Sequence, residues 1–174
     1  MEYIFTLKYQ LSEQDSNHDH IVERLAKAGC DDALIGVGQA GRIALEFTRE
    51  AQSAEEALIS ALKDIKQALP SARLVEAAPD FVGLTDVADV LGMTRQNMRK
   101  LMVGNPASFP APVHEGSAVV WHLADVLSWL KAKGSYTLEQ GTLDIAKATM
   151  QINLAKQFLQ LVPRVQQAVR AFVV

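Results

Sequence analysis

One cysteine in 174 residues, Cys30, leaves the chain without an internal disulfide. A disulfide-stapled secreted scaffold is excluded, and a reducing cytoplasm is the expected compartment. No apolar run approaches the roughly 18 residues that span a bilayer. The N-terminus, MEYIFTLKYQ, lacks the basic start and apolar stretch of a signal peptide, so none is expected. His18 and His20 stand two apart near Asp15, Asp19, Cys30, Asp31 and Asp32. No zinc-ligand spacing fits them, so no metal is expected. Cys30 has no base partner in sequence. The pairs Asp31-Asp32 and Glu55-Glu56 fall at loop and helix starts, where the helix dipole accounts for them. No catalytic constellation emerges, and the expectation is a binding protein without catalytic residues or cofactor.

Basic excess is also missing. Residues 1–80 carry 8 basic and 14 acidic side chains, a net −6. Residues 81–135 carry 5 and 4, and residues 136–174 carry 4 and 2, so the second half is mildly basic. A polyanion would be repelled by the first part and tolerated by the rest.

What is present begins with alternation. Residues 2–10 set Tyr3, Phe5 and Leu7 against Ile4, Thr6 and Lys8, the period of a strand. Asn17 can cap a short helix with the stripe Ile21, Val22, Leu25 and Ala28, closed by Gly29. Residues 33–37 read as a second strand. The following GVGQAG, residues 36–41, matches a dinucleotide loop, but such a loop must open into a helix. Instead Ile43, Leu45 and Phe47 alternate with polar or small residues, so Gly38-Gln-Ala-Gly41 reads as a hairpin turn with glycines at positive φ. Ile43 and Phe47 are also four apart, as a helix would place them. The next helix, however, announces itself separately at the capping box Ser53-Ala-Glu-Glu56. Its stripe is Leu58, Ala61, Leu62, Ile65 and Leu69, and Pro70 stops it. Residues 73–78 make a fourth strand. The order β-α-β-β-α-β predicts a ferredoxin-like domain over residues 1–79, with a boundary at Ala78-Pro79-Asp80.

Residues 84–103, LTDVADVLGMTRQNMRKLMV, read as two short helices around a tight turn. Thr85 or Asp86 starts the first, Ala88 permits close approach, Gly92 sits at the turn, and Thr94 caps the second. Val87, Leu91, Met98 and Leu101 face inward, the apolar pattern of a helix-turn-helix. Arg95, Gln96, Arg99 and Lys100 then point outward. Arginine can pair with guanine O6 and N7, and glutamine or asparagine with adenine. Lysine and threonine suit phosphates, and Asn97 can reach either. Residues 109–130 add two very short strands around Gly116-Ser117 and a helix with Leu123, Val126, Leu127 and Leu130 on one stripe. Helix, turn, helix, small hairpin, helix is a winged helix, with His114, Glu115 and Ser117 near the wing tip. Trp121 and Trp129 are expected in the core.

These residues resemble the MerR-like winged helices of the AlpA and excisionase type. The resemblance rests on Leu84, Thr85, Val87, Ala88, Leu91 and Gly92, then Phe109, Pro110, Pro112 and Val113, then Trp121, Asp125, Val126, Trp129 and Leu130. It covers about a quarter of the chain. It implies sequence-specific binding of double-stranded DNA for transcriptional control or recombination directionality. Wings of that family are usually basic, whereas this one carries Glu115 and no Arg or Lys, leaving His114, Ser117 or backbone N–H groups to touch phosphate. The expected DNA-contacting set is therefore Thr94, Arg95, Gln96, Asn97, Arg99, Lys100, His114 and Ser117.

Residues 138–161 read as a helix, broken near Gly141, with the stripe Leu143, Ala146, Met150, Leu154, Phe158 and Leu161. The stripe can pack on its own domain or form a homodimer interface, and the dimer is preferred because two copies would read a two-fold site. The chain is thus expected to be α+β. Its parts are a ferredoxin-like βαββαβ domain (1–79), a winged helix-turn-helix (80–135) and a C-terminal helical segment (136–174). The leading expectation is a dimeric transcriptional regulator. The alternatives are an adaptor or antitoxin-like module whose acidic first domain binds a protein partner, and a nucleotide-dependent enzyme using GVGQAG.

Overall fold

The computed structural model describes residues 1–134, 136–170 and 172–173, and the fold is mixed α+β with two antiparallel sheets. Strand β1 (Glu2–Gln10) is followed by helix α1 (His18–Lys27), strands β2 (Ala33–Val37) and β3 (Arg42–Glu50), helix α2 (Ala54–Ala68) and strand β4 (Arg73–Ala78). The strands form one antiparallel sheet in the order β2-β3-β1-β4. Odd-numbered residues of β1 and β3 turn to one face and are buried: Tyr3, Phe5, Leu7, Tyr9, Ile43, Leu45 and Phe47. They pack against Ile21 and Leu25 of α1 and Leu58, Ala61 and Ile65 of α2. Each fully buried Leu or Phe in this layer contributes about 1.5–3 kcal/mol. The opposite face of the sheet is open, with Ile4 and Leu34 exposed.

Local signals explain the helix limits. Asn17 Oδ1 accepts from the backbone N–H of His20, and Ser53 Oγ from that of Glu56. The Glu56 carboxylate reaches back to Gln52 N–H, one residue before the cap. Two details depart from the sequence pattern. Val22, assigned to the α1 stripe, is exposed, because only Ile21 and Leu25 reach the sheet. In GVGQAG only Gly41 has positive φ (75°), and it opens β3, not a helix, so the turn needs one permissive residue.

The second layer begins with β5 (Phe81–Val82), a strand the sequence pattern does not announce. Helices α3 (Leu84–Val90) and α4 (Arg95–Val103) follow, then β6 (His114–Glu115), β7 (Val119–His122) and α5 (Leu123–Lys133). The three strands pair antiparallel in the order β5-β7-β6. Val87, Met98, Trp121, Leu123, Leu127 and Leu130 fill a second core. Gly134 ends α5 in the left-handed conformation.

Helix α6 (Gln140–Phe158) joins the two layers, and α7 (Pro163–Val169) follows with Pro163 at its start. Gly141 lies in the first turn of α6, so no break occurs there. The single stripe expected of this helix is replaced by two. Leu143 and Ala146 enter the second core, while Ile145 and Ala148 enter the first. Of the expected stripe, Leu154 and Phe158 near the end of α6 and Leu161 beyond it stay exposed.

Candidate nucleic-acid interface

The α3–α4 hairpin is built by short-range chemistry. Gly83 N–H donates to Asp86 Oδ2 at 2.7 Å, so α3 starts at Leu84, slightly before Thr85 or Asp86. Val87 and Ala88 are fully buried, and Met93 N–H closes the turn onto Ala88 C=O at 2.9 Å. Gly92 has φ of 62°, which a side chain would strain. Thr94 Oγ1 accepts from Asn97 N–H at 3.2 Å and caps α4. Met98 is completely buried and fixes which way α4 faces.

At about 100° per residue, that anchor sets the rest of the helix. Gln96 and Lys100 stand opposite Met98. Arg95 and Arg99 lie on one flank. Asn97 turns to the other, where it lines a cavity of about 420 Å³ with Met93, Lys100, Leu101, Asn105 and Tyr136. Arg95, Gln96, Asn97, Arg99 and Lys100 are all exposed. Among the described residues none of Arg95, Arg99 and Lys100 takes part in an ion pair. Thr94 is exposed at the helix start, where unsatisfied N–H groups favour an anion.

The β6–β7 hairpin holds the other two candidates. His114 and Ser117 are both exposed. The His114 ring folds over the turn, so that a Cβ on Gly116 would lie 2.7 Å from His114 Nε2. Behind the hairpin, Trp121 Nε1 donates to Pro110 C=O at 3.0 Å, and Phe109 meets both Trp121 and Trp129 edge-on. Trp121 is buried. Trp129 is half-buried, with Lys133 Nζ 4.8 Å above its ring.

Two polar clusters were not legible in the sequence. Arg49 uses its whole fork: to Asp32 at 2.7 and 2.9 Å, Asp64 at 2.8 Å, Ser60 at 3.1 Å and Gly29 C=O at 2.8 Å. At the junction of the two layers, buried Asp80 meets His122 Nδ1 at 2.6 Å and accepts from Asn153 Nδ2 at 2.8 Å. Both are held by groups distant in sequence, which a local pattern cannot display.

Cys30 belongs to the first core. Burial pushes its thiol up to about 11, Asp64 adds to the shift, and Arg49 opposes it. The folded value exceeds the unfolded one of about 9, so this group's contribution to stability is complete below pH 9. It is lost as pH climbs toward 11. Ellman's reagent at pH 8 is expected to leave the folded chain unmodified and to titrate one thiol after denaturation. Rapid reaction of the folded chain would contradict the burial. Among the described residues no group of three or more His, Cys, Asp or Glu could hold a metal, and no helix is long and apolar enough to cross a membrane.

No protein-family model, curated protein or solved structure matches the chain.

Proposed function

We propose that the chain is a sequence-specific double-stranded DNA-binding protein, a cytoplasmic transcriptional regulator that acts as a homodimer. In this reading residues 80–135 are a winged helix-turn-helix of the MerR-like type that α4 inserts into the major groove. The sheet order β2-β3-β1-β4 supports a ferredoxin-like first domain. One observation carries the DNA reading. A helix capped by Thr94 and locked by Met98 exposes Arg95, Gln96, Asn97, Arg99 and Lys100 together, and among the described residues its three cations have no ion-pair partner. A merely solvated face would more often pair its cations with i±4 carboxylates; α4 contains none.

The test is selection of bound fragments from a random duplex pool, using the wild type and an Arg95→Ala/Arg99→Ala/Lys100→Ala variant. A motif recovered by the wild type and lost by the variant is expected. Each lost bidentate base contact costs about 1–3 kcal/mol, or roughly five- to 150-fold in affinity. Lys100→Ala alone is expected to lower the salt slope of binding by about one, with the motif unchanged, if Lys100 meets phosphate. No motif from the wild type, with only weak salt-sensitive binding, would remove the reading.

A second reading, a protein-interaction adaptor or antitoxin-like module, rests on the net −6 of residues 1–80. It predicts a stable complex with a basic protein partner formed through that domain and retained by the triple variant.

A further inference from the structure

The four-stranded sheet has two edges, and the chain treats them oppositely. The β4 edge is closed. Asn153 gives its amide N–H to Ala77 C=O at 2.8 Å and accepts Ala77 N–H at 2.9 Å, as a neighbouring strand would. Lys156 Nζ takes Val75 C=O. Among the described residues the β2 edge has no such cover. Thr48 N–H bonds Asp32 C=O, so by antiparallel alternation Leu34 and Gly36 bond to β3. Ile35 and Val37 therefore turn their N–H and C=O groups outward. Among the described residues no other backbone or side-chain group takes them. The strand reads ALIGV, with no charge, proline or register shift, and Leu34 is 73% exposed on its open face. Native edges are normally blunted by a charge, a proline, a bulge or a cover, because an open edge templates further pairing.

We infer that the β2 edge takes the β2 of a second copy of this chain, antiparallel about a two-fold axis at Ile35, joining two four-stranded sheets into one. The ends of the strand argue for self-pairing over an unrelated peptide. Asp31 precedes β2 and Arg42 opens β3 beside the far end of β2, where Val37 pairs with Ile43. Both are exposed, and neither has an ion-pair partner among the described residues. Self-pairing about Ile35 sets Ala33 against the partner's Val37. It carries Asp31 to the end where the partner's Arg42 stands, twice per dimer. The edge is thus complementary to itself in charge as well as in hydrogen bonds. This inference deepens the homodimeric part of the proposed function and rests on it. It does not depend on DNA binding.

The experiment is sedimentation equilibrium of the full chain without DNA, at micromolar concentration. A mass of twice 19.0 kDa is expected for the wild type. Val37→Pro removes an outward N–H and leaves the β3 ladder intact, so it is expected to sediment as a single chain with the wild-type circular dichroism spectrum. Asp31→Arg is expected to weaken association about tenfold or more by setting like charges opposite each other. Asp31→Arg/Arg42→Asp is expected to restore it, which a merely structural defect would not allow. A wild type at single-chain mass would overturn the inference. So would a dimer indifferent to Val37→Pro and Asp31→Arg. A dimer lost only in Leu154→Glu/Phe158→Glu would place the interface on the exposed end of α6 and overturn it equally. Failure to select a DNA motif, with dimerisation intact, would count against the DNA reading alone.

Discussion

Arg49→Met is expected to cost the chain about 3 kcal/mol, the lower end of the range for breaking a buried ion pair from one side. Among the described residues the guanidinium is the only cation in a cluster that ties β3 to the α1–β2 loop through Asp32 and Gly29, and to α2 through Asp64 and Ser60. Its side chain is only 10% exposed, whereas the two carboxylates keep 29% and 27%. They can regain some water once the cation is gone, which holds the loss to the lower end. The hydrogen bonds that Arg49 donates to Asp32 raise its pKa well above the ordinary arginine range; burial opposes this and Asp64 reinforces it. The cation is therefore charged at every working pH. The guanidinium also lies 4.9 Å from the Phe47 ring centroid, a contact methionine partly replaces. A calorimetric midpoint about 6–12 °C lower is expected for a chain of this size. Arg49→Lys keeps the charge but not the fork and should recover less than half of the loss. A midpoint shift under about 2 °C for Arg49→Met would mean that the cluster forms as readily with water.

The residues that the sequence made legible are those whose partners are near in the chain. Asn17, Ser53 and Thr94 cap because a side-chain oxygen meets an N–H three residues on. The alternation in residues 2–10 and 42–50 reports burial on one sheet face, as does the 3.6-residue stripe of α2. The candidate face of α4 follows from one buried position, Met98, and helical geometry. What stayed hidden depends on separations of 11 to 76 residues. Phe81 and Val82 form a strand only because β7 lies beside them. Asn153, in the middle of an apparently apolar helix, is buried because it faces the open groups of β4. The α6 stripe looks like one surface in the sequence because a one-dimensional pattern cannot show two cores meeting the same helix from different sides.

The same junction carries the second large effect. Asp80→Ala is expected to cost about 3 kcal/mol, and the reason lies in what it leaves behind. The Asp80 side chain is fully buried, and its two oxygens satisfy His122 Nδ1 and Asn153 Nδ2. Alanine leaves His122 Nδ1 and one of the two Asn153 Nδ2 hydrogens without this acceptor, while the other Asn153 hydrogen keeps Ala77 C=O. Each unsatisfied buried polar group costs about 1–3 kcal/mol, more if charged. Asn153 is completely buried and has no route to water, while His122 is 9% exposed and has little. The neighbouring bonds, Leu123 N–H to Asp80 C=O and Thr149 hydroxyl to Pro79 C=O, use backbone acceptors and should survive. Asp80→Asn retains the volume and an oxygen acceptor, and should lose less than Asp80→Ala. Because Asn153 also closes the edge at Ala77, Asn153→Ala damages the sheet as well as the junction. The Asp80→Ala/Asn153→Ala pair should then be less destabilised than the sum of its parts, by about 1 kcal/mol, since the second change removes a group the first had left short of an acceptor. Urea denaturation of the four chains measures this coupling. Strict additivity would mean that the two residues stabilise the junction separately. The coupling has a consequence for heat unfolding too. α6 supplies Leu143 and Ala146 to one core and Ile145 and Ala148 to the other, so the wild type should melt in one transition. Two resolved transitions in the wild type would show that α6 does not bind the cores into one cooperative unit.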